Sequence, residues 1–147
     1  MEIITEHIKV ATHGNSEIIN ITGQVADLLQ KHNLKDGTAT LFVIGSTASI
    51  TTTEFEPGLR KDIPEMLERI APSDVRYHHD DTWGDGNGHA HVRASFLGPS
   101  LVVPFASSEL LLGTWQQIVL IDFDNRARNR DIVIQLMGRC DNENLPH

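Results

Sequence analysis

The sequence predicts an α+β domain, with a largely antiparallel sheet and two main helices packed on it. Three observations predict it. Alternating or β-branched runs recur along the chain and dominate it after Leu101; only two stretches carry apolar residues at helical spacing; and strands and helices do not alternate strictly, as a doubly wound parallel sheet requires.

Ile4, Glu6, Ile8 and Val10 have the alternation of a half-buried strand, and Glu17 to Ile21 reads as its neighbour across the turn His13 to Ser16. A hairpin is predicted there. Thr22 is placed to cap a helix with the apolar face Val25, Leu28 and Leu29, ending near His32 or Asn33. Asp36-Gly37 predicts a turn, Thr38 to Ile44 a buried strand, and Ile50 to Thr53 its continuation after a break at Gly45. Leu59, Ile63, Met66, Leu67 and Ile70 have helical spacing, but Pro64 donates no backbone hydrogen bond, which predicts a break between Asp62 and Pro64. Pro72 stops that element, and Ser73 to Gly88 follows as a long polar loop. Leu101 to Phe105, Leu110 to Leu112, Trp115 to Phe123 and Asp131 to Met137 read as strands. Residues 1–140 are expected to form one domain and Asp141 to His147 a polar C-terminal tail.

The 147 residues suffice for one apolar core, and 39% hydrophobic with 22% charged residues is ordinary globular composition. Twelve Lys and Arg against 20 Asp and Glu give a net charge of −8, which argues against nucleic acid and anionic membrane surfaces as partners. Cys140 is the only cysteine, so no intrachain disulfide forms, and the N-terminus has no signal-type apolar run. A cytoplasmic location is the expectation.

Between Tyr77 and His91 stand His78, His79, Asp80, Asp81, Asp85, Asn87, His89 and His91, more imidazole and carboxylate than packing requires. Metal binding or acid–base work does require such groups: neutral imidazole offers a lone pair to a cation, and a carboxylate adds charge or orients the ring. His79 and His91 are the preferred ligand pair. The spacing matches no specific metal motif, and a surface loop whose polar residues cap strands is the bland alternative.

Gly45-Ser46-Thr47-Ala48-Ser49 ends a strand with small residues whose amides and hydroxyls could hold phosphate oxygens, although a strand bulge explains them equally well. Glu54 could add a carboxylate beside it. Gly113-Thr114-Trp115-Gln116 suits the stacking of a small heteroaromatic ligand, with core packing as the stronger alternative for Trp115. Trp83, inside the polar loop, needs a partner subunit, a ligand or a local apolar shelf. Arg126, Arg128 and Arg130 could hold a small anion, or line a solvated turn.

Gly45 to Glu54, Tyr77 to Asp80, Asn87 to Gly98 and Leu112 to Gln116, followed by Phe123-Asp124 and the arginine cluster, together resemble the YjbQ family, also called secondary thiamine-phosphate synthases. The resemblance spans nearly the whole chain. It implies a compact α+β homotrimer with a thiamine-phosphate synthase side activity, which joins hydroxymethylpyrimidine diphosphate to thiazole phosphate and releases pyrophosphate. It places His79, Asp80 and His91 in the site, with Glu54 and Gly113 to Gln116 close by. By that pattern His79 and His91 would ligate a divalent ion, zinc or magnesium, or exchange protons; Asp80 would orient an imidazole; and the arginines would receive phosphate, across a subunit boundary. Ser46, Thr47, Ser49, Thr114, Trp115 and Gln116 complete the expected ligand contacts.

One residue departs from the pattern. Family members commonly begin the first motif with His-Thr-Ser-Ala-Ser, whereas this chain has Gly45 in the histidine's place. If that imidazole is a ligand or base in relatives, this chain must use another group, for example His78 or His89, or lack the activity. The alternative function is therefore a noncatalytic trimeric module that binds a metal or a small phosphorylated ligand.

Overall fold

The computed structural model describes residues 1–140, so the expected tail at Asp141 to His147 lies outside the described residues. Eight strands form two antiparallel sheets. The larger has the order β1-β8-β3-β5-β6, from β1 (Glu2–Thr12), β8 (Arg128–Cys140), β3 (Leu34–Ile44), β5 (Ser100–Ala106) and β6 (Glu109–Leu110). The smaller has the order β2-β7-β4, from β2 (Glu17–Asn20), β7 (Gln116–Asp122) and β4 (Ala48–Glu54). The α+β class and largely antiparallel pairing are as the sequence predicts.

The strands' period of two sorts their side chains into two cores. Ile118 and Leu120 on β7 face the larger sheet and meet Ile8, Leu41, Val43, Ile132 and Ile134, with Ile50 from β4. Helix α1 (Thr22–Lys31) closes this layer with Val25 and Leu29, both fully buried. Val119 and Ile121 point the other way, into a second core with Ile18, Leu67, Ala90, Ala94 and Phe123. Leu67 comes from α2 (Leu59–Ile70), and both alanines come from α4 (Gly88–Leu97). The layers are therefore sheet, sheet, helices.

Several local expectations change. The predicted first hairpin does not form: β1 pairs with β8 over eleven residues, and β2 pairs with β7 in the other sheet. Four-residue β2 could have covered only a fraction of β1 and left a long open edge. Thr22 begins helix α1 rather than capping it; Ile21 is the N-cap, without a side-chain cap bond, Asn20 Oδ1 accepts the Thr22 N–H, and Thr22 Oγ1 accepts the Ile118 N–H at 2.8 Å and ties α1 to β7. Asp36-Gly37 is not a turn but lies within β3, paired with Arg139 and Gly138 of β8 just after a register shift between Leu34 and Asp36, and a Cβ at Gly37 would collide with the Met137 carbonyl of β8. β4 does not continue β3 but crosses to the smaller sheet. Helix α2 runs unbroken through Pro64, because the lost hydrogen bond is outweighed by the packing of Ile63, Met66 and Leu67 on the second core.

The chain passes between the sheets three times at one end of the molecule: from Thr12 to Glu17, from Ile44 to Ala48, and from Asp122 to Arg128. Backbone bonds lace these crossings together. The Asn15 N–H donates to the Asp124 carbonyl, Ser16 to Asp122, and Phe123 to Thr47. The segment predicted as a polar loop lies over this end and contains the single turn α3 (Asp80–Trp83) before entering α4.

Candidate functional site

The crossings bring polar residues to the ends of buried strands, where each must find a partner. Asp122 lies at the end of β7 on the side facing the larger sheet, and Arg130 of β8 reaches it. Its carboxylate accepts Arg130 Nε at 2.7 Å and Nη2 at 2.8 Å, and Thr12 Oγ1 donates to it at 2.6 Å. Asp124 accepts from Thr47 Oγ1, Asn87 Nδ2, Arg128 Nε and its neighbour's backbone N–H. Both carboxylates are fully buried. Burial pushes their pKa values up, but Arg130, Thr12 and the Asp124 N–H outweigh it for Asp122, and the Asn125 N–H, Thr47, Asn87 and Arg128 outweigh it for Asp124. Both stay ionised well below neutrality.

Over this network opens a cavity of about 350 Å³, lined by Gly45, Ser46, Thr47, His79, Trp83, Asp85, Asn87, His91, Arg128 and Arg130. That volume suits a small ligand. Asn87 and His91 lie one turn apart at the start of α4 and so share its cavity-facing side. The His79 and His91 rings approach to 4.3 Å between centroids. His91 is held below the usual histidine value, first by burial and then by His79, so it presents a neutral lone pair at neutral pH. Among the described residues, His79, Asp80 and Asp85 each offer a ligand atom within 4.8 Å of the others, a spacing that a single cation can bridge. His79 Nδ1, Asp80 Oδ1 and Asn87 Oδ1 are buried without a hydrogen-bond partner. Asn87 is itself only 4% exposed, and the bond from its Nδ2 to Asp124 turns Oδ1 away from that carboxylate.

Of the residues expected at the site, Ser46, Thr47, His79, His91, Arg128 and Arg130 line the cavity, and Asp80 stands beside His79. The rest lie elsewhere. Ser49 is buried against α4, its hydroxyl on the Ala94 carbonyl, and Arg126 is exposed outside the lining. Glu54 pairs with Gln116 at the far end of β4 and β7, about 20 Å along the strands from Thr47. Thr114 and Trp115 are exposed at that end, so within one chain these residues do not adjoin the cavity. Neither proposed stand-in for the missing imidazole lines the cavity. His78 is exposed, and His89 is buried near Tyr77, with its pKa lowered by burial and then by Arg93. Asp85 and Asn87 were legible only as members of the polar run; their convergence depends on the turn at α3.

A family model described as UPF0047 protein YjbQ-like matches residues 6–139. The chain belongs to the YjbQ-like UPF0047 family. A UPF0047 relative from Methanothermobacter thermautotrophicus is 35% identical over 139 residues, covering 95% of both chains. The UPF0047 protein YugU of Bacillus subtilis is 33% identical over 132 residues, 89% of this chain and 97% of that one. Among solved structures, a YbjQ-like protein of unknown function from Sulfolobus solfataricus superposes with a TM-score of 0.84 at 30% identity, over 94% of this chain and all of its own. A hypothetical protein from Aeropyrum pernix reaches 0.86 at 29% identity, over 95% of this chain and all of its own. The YjbQ-like fold is thus shared over nearly the whole chain.

Proposed function

We propose that the cavity binds a divalent cation together with a small phosphorylated molecule. The observation that carries this reading is the convergence of three buried polar atoms without a hydrogen-bond partner, His79 Nδ1, Asp80 Oδ1 and Asn87 Oδ1, at and beside the cavity that Arg128 and Arg130 line. Unpartnered buried acceptors are costly and call for a cation or a donor. His79, Asp80 and Asp85 would hold the ion, with Asn87 Oδ1 and His91 near it; one imidazole among carboxylates suits zinc, manganese or magnesium. A bound divalent ion would supply charge neutralisation for phosphate oxygens. Arg128 and Arg130 would orient those oxygens, and neutral His91 would take or return a proton.

The finer reading, which rests on the family resemblance, is thiamine-phosphate synthase chemistry: carbon–nitrogen bond formation between hydroxymethylpyrimidine diphosphate and thiazole phosphate with release of pyrophosphate. In that reaction the guanidiniums would stabilise the charge gathering on the departing diphosphate. Incubating the purified protein with both precursors and magnesium tests it, with thiamine phosphate expected above a His91→Ala control. No product, together with a metal-dependent rise in melting temperature, would leave the noncatalytic binding module.

A second observation fits the homotrimer that the family resemblance implies. On the outer face of the larger sheet, Ile3, Phe42, Ile44, Val102 and Met137 are exposed, and among the described residues nothing covers them. A homotrimer would bury such a face and could bring Glu54 and Trp115 of one copy towards the cavity of another. Light scattering that returns a monomer mass at micromolar concentration would remove this part.

A further inference from the structure

We propose that Gly45 makes Arg130 the anion-receiving residue of the cavity, and that Arg130 takes a phosphate oxygen only when a cation occupies the His79–Asp80–Asp85 group; this rests on the binding function proposed above. Arg130 is 6% exposed and rigidly held. Its Nε and Nη2 are spent on Asp122, and Nη2 also donates to Thr47 Oγ1 at 2.6 Å. Of the five guanidinium N–H groups, the two on Nη1 have no partner among the described residues.

That free edge projects towards Gly45. A Cβ built there would stand 2.8 Å from Nη1, closer than side chains pack, and the φ of +139° at Gly45 disfavours any L residue. A side chain at position 45 would therefore crowd the guanidinium edge out of its present place. In the space that Gly45 leaves open, Arg130 presents a fixed pair of charge-bearing N–H donors.

Charge decides when that edge can work. Arg128 and Arg130 contribute two positive charges, but Asp122 and Asp124 cancel them, and Asp80 and Asp85 add two more carboxylates at the same cavity. Two guanidiniums against four carboxylates repel an anion; a divalent cation brings the sum to zero. Nη1 then offers a charge-assisted bond to an oxygen that the cation also attracts. Arg128 also lines the cavity, but it is one-third exposed and bound to Asp124 alone, so its head is less fixed.

Calorimetric titration with manganese, and then with inorganic phosphate, tests the proposal. Wild type should bind phosphate only after manganese, whereas Gly45→Ala should bind manganese normally and phosphate at least about tenfold more weakly. Phosphate affinity unchanged in Gly45→Ala, or equal with and without manganese in wild type, would overturn it. Should Gly45→Ala fail to fold, a wild-type crystal soaked in manganese and phosphate decides: a phosphate oxygen on Arg130 Nη1 supports the proposal, and a phosphate held elsewhere refutes it. Absence of manganese binding to wild type is a different failure, since it removes the binding function itself.

Discussion

The two ends of the smaller sheet are made of similar residues and have opposite characters. At the crossing end, Thr47, Asp122, Asp124, Arg128 and Arg130 bond to one another and frame a cavity. At the far end, Gln116 bonds to Gly113 and Thr52 on an exposed surface, and Glu54, Thr114 and Trp115 face solvent. Both ends carry an acid, hydroxyls and a tryptophan. What separates them is burial: three crossings laced together by backbone hydrogen bonds enclose the first, whereas the crossing from β6 to β7 at the second runs through a largely exposed loop.

Breaking the enclosed end should cost most. Asp122→Ala leaves the Arg130 guanidinium buried without its carboxylate, and denaturant unfolding should show a loss of about 3–5 kcal/mol. Arg130→Met in the same chain should recover much of that loss, because the uncompensated charge is gone. His79→Ala should abolish the stabilisation by manganese, worth about 2.7 kcal/mol when the free ion is at a hundred times its Kd, as read from melting temperatures.

Acid should act on the enclosed end as well. Asp122 and Asp124 titrate below their ordinary 3.8, and Glu68 is lowered from 4.5 to about 2, chiefly by its hydrogen bonds from Ser73 and then from Arg93. Folded-state pKa values below the unfolded ones mean that this stability is complete above about pH 5 and is lost as pH falls through the folded values. Melting curves from pH 7 to pH 2 should therefore be flat down to about pH 5 and then fall. At the open end, Gln116→Ala should cost no more than about 1 kcal/mol. Trp115→Ala should lie within about 0.5 kcal/mol in a monomer, and a larger effect that depends on protein concentration would show that assembly covers this end.

The sequence made the strands legible because their alternation is dense: every C-terminal strand lies within two or three residues of its predicted place, apart from the longer β8. Pairing was not legible. Alternation tells which face of a strand is buried, but β1 chooses β8 over β2 on matching length, which appears only when the whole sheet is assembled. Helix α4 was hidden by Arg93, which sits on its buried face between Ala90 and Ala94 and disguises the apolar stripe. Its charge is met by the Ala71 carbonyl, Ser16 and Glu68, all remote in sequence. At the site, chemical type singled out His79, Asp80 and His91, and residue order placed Arg128 and Arg130 in a cluster. That these meet at one cavity, and that Glu54 and Trp115 do not, follows from the crossings and from nothing local.

The same crossings impose an order of events on folding. Thr12 reaches Asp122 across 110 positions of chain, and Thr47 reaches Arg130 across 83. Contacts so distant in sequence close late, after the entropy of the intervening loops has been spent. A ribosome that has not yet released β8 holds a chain with no Arg130 in place and no cavity. Occupancy of the cavity is therefore a property only of the finished molecule, and any ligand that binds there slows unfolding without hastening the early steps of folding.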